Sequence, residues 1–220
     1  MGDAKFAKTN GSLRLSSQRN KMTVRTATLW FSLLLVGSAS AQSNNLANNL
    51  LKNPDGEDAL QAWRVSGNAE VTNCVGVGNC FSISQDGFIF QDVTVPENVT
   101  GEFALLIALA STEEPNADIR HLAHPYLFGY FMSSPNLPQA KILSNLSGQE
   151  MAARARSSSD WVKQFGVFKL VPGTLSIRIF LRSGCPKAAS TDICTSRFRR
   201  PGIFRFQSEA EARTFADNYQ

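Results

Sequence analysis

The chain has 220 residues, enough for one sizeable domain with a core of its own. Of its 22 basic and 18 acidic side chains, six and one fall within residues 1–41, so the remainder holds 16 and 17 and a formal net charge of −1. The basic balance of the whole sequence thus belongs to its first 41 residues, and gives no support to a nucleic-acid partner, which would need a clustered basic surface on the folded part.

Taken in order, Met1–Lys21 is polar and basic. Met22 begins a secretory signal of ordinary length by itself, which points to Met22 as the true start, with a long n-region as the alternative. Arg25 precedes the apolar run Leu29–Val36, and Gly37-Ser38-Ala39-Ser40-Ala41 closes it. A basic n-region, a short apolar core and an Ala-x-Ala exit make a secretory signal, cleaved after Ala41. The run is far short of the ~20 residues that cross a bilayer, so no membrane span is expected after cleavage; a retained anchor is the alternative. The expected location is extracellular or periplasmic, and the expected division is a leader at 1–41, a domain at 42–207 and a polar tail at 208–220.

The four cysteines form two close couples, Cys74 with Cys80 and Cys185 with Cys194. An oxidising compartment favours disulfides, and four cysteines allow three connectivities. We expect the two local bonds, because each couple brackets a turn-rich loop. Zinc would want Cys-x-x-Cys pairs, and neither spacing fits.

After the Asn-rich Gln42–Asn48, the stretch Asn49–Trp63 reads as a short apolar strand, a reversal at Pro54–Gly56, an acidic pair and a tryptophan opening the next strand. Trp63–Val65 and Ala69–Thr72 then flank Ser66-Gly67-Asn68 as a hairpin. Cys80–Ser84 turns at Gln85-Asp86-Gly87 into Phe88–Val95. Glu102–Ala110 is too short for periodicity to separate buried strand from buried helix; its neighbours make it a strand. Tyr126–Met132, Lys141–Leu143, Glu150–Arg156, Trp161–Leu170, Leu175–Arg182 and Ile203–Gln207 follow, with a turn at Pro172-Gly173. Residues 208–220 would add one or two helical turns. Some ten short strands at regular spacing indicate an all-β sandwich in a single domain.

The opening Asn-Leu-Leu-x-Asn, its glycine-acidic turn and Trp63 resemble the start of galactose-binding-like jelly rolls. That group includes the CenC-type carbohydrate-binding modules and the sugar-binding domain of some F-box proteins. The likeness continues through Trp161–Phe168, Val171-Pro172-Gly173, Ser176–Leu181 and Arg197–Ile203. It implies a two-sheet antiparallel jelly-roll sandwich and a non-catalytic domain that binds a poly- or oligosaccharide. In the family, acidic residues near the last strand help hold a structural calcium against the N-terminal turn. Arg199 and Arg200 stand in their place here, so no cofactor is required, and a calcium would rest on Asp55 and Glu57 with backbone carbonyls. The ordinary reading of Asp55, Glu57 and Asp58 is turn chemistry and solvated acids.

His121 and His124 could pair at a zinc, but Pro125 disfavours helix there and no third ligand is near, so they read as a loop. Glu57, Asp58, Glu113 and Glu114 supply carboxylates for hydrolysis only if the fold sets two face to face. Trp63, Trp161 and the phenylalanines read as core. Tyr126, Tyr130 and Phe131 are the candidates for ligand contacts, offering a flat ring and, in the tyrosines, a hydroxyl; rings that fill the core are the plainer alternative. Period two puts Arg154 with Arg156, and Arg178 with Arg182, on polar faces opposite Ile177, Ile179 and Leu181. Four guanidiniums on one sheet would suit carboxylate or sulfate oxygens; an ordinary solvated face is the plainer alternative. The function expected is therefore a secreted carbohydrate-binding module, with a structural or adhesive β-sandwich as the alternative and an enzyme last. The oligomeric state is not encoded in these features.

Overall fold

The computed structural model describes residues 48–96, 101–113, 124–135, 141–146, 160–184 and 194–220. Among them are eight strands, β1 (Arg64–Cys74), β2 (Gly78–Thr94), β3 (Phe103–Glu113), β4 (Tyr126–Met132), β5 (Ile142–Asn145), β6 (Val162–Lys169), β7 (Ser176–Arg182) and β8 (Thr195–Phe206), and one helix, α1 (Glu209–Asp217). Every described pairing is antiparallel, in the order β5-β4-β7-β2-β8-β3-β6, with β1 added to β2. The predicted strand Glu150–Arg156 lies outside the described residues.

One strand joins the two halves of this sheet. Residues Phe81–Ser84 of β2 pair with β8, whereas Phe88–Thr94 pair with β7. Between them the register against β1 jumps, Ser66 facing Phe88 and Asn68 facing Ser84. The two turns expected at Ser66–Asn68 and Gln85–Gly87 are therefore corrected: each is a bulge inside a continuous strand. A bulge leaves extra residues unpaired and bends the strand, which lets β2 change partners without a loop. Gln85 takes φ 54° and Gly67 φ 78° to do so.

The inner faces of the two halves meet in one core. Phe81, Ile83, Ala108 and Phe198 come from one half, and Ile89, Leu127, Ile177, Ile179 and Leu181 from the other. The aliphatic residues of β7 predicted to face inward are fully buried. Each such side chain removed from water contributes about 1.5–3 kcal/mol. Gly129 of β4 leaves room for the neighbouring strand, since a Cβ there would run into the backbone carbonyl of Arg178 on β7.

β8 starts at Thr195, well before the predicted Ile203, because Pro201 is carried in a bulge. The β3 register shifts between Ile107 and Leu109 opposite it, the placement that a residue without an N–H requires. The segment read as a polar tail with one or two helical turns forms α1. Ser208 caps α1 with a reciprocal box to Glu211. Ala212, Ala216, Phe215 and Tyr219 cover Leu105, Ile107, Phe165 and Phe204 on the back of β3, β6 and β8. Lys163 Nζ donates to the carbonyls of Ala216 and Asp217 at 2.6 and 2.8 Å, holding the helix C-terminus.

Asn49–Trp63 wraps the core as a loop rather than beginning with a strand. Asn49 clasps β8, its Nδ2 donating to the Pro201 carbonyl and its Oδ1 accepting from Ile203 N. Asn53, at φ 50°, accepts from Asp58 N and donates to the carbonyls of Ala59 and Gln61. Trp63 is core as predicted, its ring 5.2 Å from that of Phe81.

Candidate functional site

Helix α1 covers the back of one half of the sheet; the back of β1, β2, β7, β4 and β5 is a different surface. Register fixes its side chains in three rows. Ser66, Phe88, Arg182 and Tyr126 stand side by side, then Arg64, Phe90, Phe180 and Phe128, then Asp92, Arg178, Tyr130 and Asn145. All have the parity opposite to Ile89, Ile179 and Leu127, which fill the core.

The centre of this face is Phe180. Its ring stacks on Phe128 at 4.6 Å with 1° between planes and on Phe90 at 5.2 Å with 26°. Phe88 and Tyr130 meet it at 5.8 and 5.7 Å, the tyrosine edge-on at 88°. All five rings are half-buried, and Tyr126 at the margin is exposed. Cross-strand aromatic pairs add about 0.5–1.5 kcal/mol each beyond area burial, so the rings hold one another in place.

Charge supports the platform from below. Arg178 donates from Nη2 to Asp92 Oδ2 at 2.6 Å and from Nε to Oδ1, a bidentate pair whose side chains are 8% and 10% exposed. The guanidinium lies 4.6 Å from the centre of the Phe90 ring and 5.9 Å from that of Phe180. Arg64, exposed, reaches over Phe90 at 5.7 Å. Such cation–ring contacts favour flat, fixed rings.

Of the residues expected to form a site, Tyr126, Tyr130 and Arg182 lie on this face. Arg178 lies there too but is buried and already engaged by Asp92, so it positions the rings and presents no free fork. Arg154 and Arg156 lie outside the described residues. Phe131 is corrected: it points into the core. The reading of the other phenylalanines as core is corrected for Phe88, Phe90, Phe128 and Phe180, which form the outer platform. The sequence held a signal for one of them, because Phe180 has the parity of Arg178 and Arg182. Arg64 and Asp92 were missed because only register brings them to Phe90 and Arg178.

The calcium residues come out differently. Asp55 is half-buried and Glu57 exposed in the loop that Asn53 organises. Burial and the neighbouring Arg200 lower the pKa of Arg199, while Asp55 raises it. Asp55 therefore lies within electrostatic reach of the Arg199 guanidinium. Among the described residues no three His, Cys, Asp or Glu side chains gather. This donor set does not fit calcium, which takes six to eight oxygens. His124 is half-buried with Nδ1 unpartnered; His121 lies outside the described residues. Cys74 and Cys80 form the expected bond, closing the β1–β2 hairpin. Cys194 is disulfide-bonded, and Cys185 lies outside the described residues.

No family profile and no curated protein matches the chain. The fold is similar to several solved structures. One is the enzymatically active domain of tailspike protein 4 of bacteriophage CBA120, at TM-score 0.49 and 12% identity, covering 71% of this chain and 21% of that one. Another is TmCBM61 in complex with β-1,4-galactotriose, at 0.42 and 17%, covering 71% and 98%. A third is the CBM22-1 xylan-binding domain of Xyn10C from Paenibacillus barcinonensis, at 0.42 and 12%, covering 67% and 88%. Carbohydrate-binding modules are thus among the folds it is similar to. This chain spans about a fifth of the tailspike domain.

Proposed function

We propose that this protein is an exported, non-catalytic carbohydrate-binding domain of the two-sheet jelly-roll kind, and that it holds its glycan on the back of β2, β7 and β4. The observation that carries this reading is the ring platform centred on Phe180. A sheet face turned from the core is ordinarily polar. Here it is built from half-buried aromatic rings, stacked on Phe180 with Tyr130 edge-on, and braced by a buried ion pair. Flat rings of this kind offer π surface to the C–H faces of sugars, while Tyr126, Tyr130, Asn145 and Ser66 at the margins can bond hydroxyls.

A binding role suits the face better than hydrolysis. Glycoside hydrolysis uses two carboxyl groups flanking the bond to be broken. Among the described positions of the three rows one carboxylate is present, Asp92, and Arg178 occupies both of its oxygens; Glu70 of β1 stands beyond the bulge, opposite Ser82.

A glycan array on the purified protein tests the reading, followed by titration of Phe180→Ala against the best glycan. Binding that falls at least tenfold in the variant, with an unchanged circular dichroism spectrum, is the expected result. Absence of binding to any glycan class, or full affinity in Phe180→Ala, overturns it and leaves a structural or adhesive sandwich. Turnover of a bound glycan would overturn the non-catalytic assignment.

A further inference from the structure

We infer that the glycan is an anionic one, carrying carboxylate or sulfate groups that Arg64 and Arg182 grip from opposite sides of Phe88 and Phe90 in the ring platform; the inference rests on the carbohydrate-binding reading above. Both residues are exposed, Arg64 beside Phe90 on β1 and Arg182 beside Phe88 on β7. Strand β2 runs between them. Two strand spacings across and two residues along place their Cα atoms about 12 Å apart, diagonally over Phe88 and Phe90. Anionic groups on alternate units of a chain lying along that diagonal would meet one fork at each end.

The balance of charge on this face points the same way. The described positions of the three rows hold three guanidiniums and one carboxylate. Arg178 and Asp92 neutralise each other in a bidentate pair. Arg64 and Arg182 form no ion pair with a described residue. Two uncompensated positive charges therefore flank the rings on a domain whose portion beyond residue 41 carries a net charge of −1. That local excess is not a by-product of a basic protein. The planar fork of an arginine also matches a carboxylate or sulfate with two parallel bonds. A neutral glycan would gain only uncharged hydrogen bonds from such forks, without the charge-assisted bidentate pair, whereas the rings serve either kind.

The test is calorimetric titration of the purified protein with four polymers: polygalacturonate, chondroitin sulfate, neutral galactan and single-stranded DNA. We expect an acidic glycan to bind at least tenfold more tightly than galactan and to weaken as salt rises, because exposed charge contacts are screened within about 10 Å. The carboxylate-only and the sulfated polymer show which oxyanion is read. In the double variant Arg64→Gln/Arg182→Gln, affinity for the acidic glycan should fall to that for galactan. Equal affinity for acidic and neutral glycans, or an acidic preference that survives the double variant, overturns the inference and leaves the carbohydrate reading standing. DNA binding as tight as the acidic glycan shows attraction to any polyanion, and also overturns it. Absence of all glycan binding overturns the carbohydrate reading itself.

Discussion

Gly67 of β1 and Gly87 of β2 lie directly against each other where the two strands bulge: a Cβ on Gly67 would stand 2.9 Å from the Gly87 Cα. At this point β2 leaves β8 and takes up β7. The close approach of two backbones is what permits the change of partner, and it leaves no room for a side chain on Gly67.

Gly67→Ala should accordingly destabilise the domain by about 1–3 kcal/mol, from the strained φ of 78° and the contact together. Gly76→Ala at the hairpin tip has positive φ but open space around it, so it should cost less. Urea unfolding of the two variants checks the order; equal costs would show that the Gly67–Gly87 contact is unimportant.

The buried pair of Arg178 and Asp92 gives a second expectation. Removing one partner leaves an uncompensated charge under the platform, and Arg178→Ala or Asp92→Ala should each cost about 3–5 kcal/mol. Replacing both by apolar residues, as Arg178→Met with Asp92→Leu, should cost clearly less than the sum of the single changes. Thermal unfolding of the three variants decides. Additive losses would mean the side chains act independently.

The N-terminal loop predicts an insensitivity. Because Asn53 ties Asp58, Ala59 and Gln61 together, chelation with EDTA should leave the Tm unchanged, whereas Asn53→Ala should lower it. A fall of several degrees on chelation, restored by calcium, would show that a metal holds the loop after all.

Tyr219 sets an alkaline limit. Its hydroxyl donates to the Arg200 carbonyl at 2.8 Å. Burial first, and then the charge of Asp55, raise its pKa well above the ordinary 10.0. The folded state thus favours the neutral phenol, a contribution fully present below pH 10 and lost progressively as pH rises beyond it. Tyr219→Phe should cost about 1 kcal/mol at neutral pH and should flatten the decline of stability above pH 10. An unchanged alkaline profile in the variant would assign that decline to other groups.

What could be read from the residues, and what could not, has a physical explanation. β4 appears where alternation put it, and β7 within one residue, because Ile177, Ile179 and Leu181 oppose Arg178 and Arg182, so each face declares itself. In β2 both faces are apolar, Phe88 and Phe90 against Ile89 and Val93, and period two cannot say which set is inside. The aliphatic set went in, and the rings that make the site went out. Gln85-Asp86-Gly87 looks like a reversal in isolation; that it is a bulge depends on Gly67, some twenty residues away in sequence. The helix was underestimated because Ala212, Ala216 and Tyr219 gain their partners on β3 and β8, which no local pattern reveals.

One consequence of the clasp at β8 is mechanical. Asn49 is bound to Pro201 and Ile203, and Tyr219 to Arg200, so the two ends of the folded unit are riveted to neighbouring points of one strand. A tension applied between those ends would be borne across that short bridge and would largely bypass β4, β7 and the platform they carry. A domain tethered through both ends could thus be tugged hard while its aromatic face kept its shape.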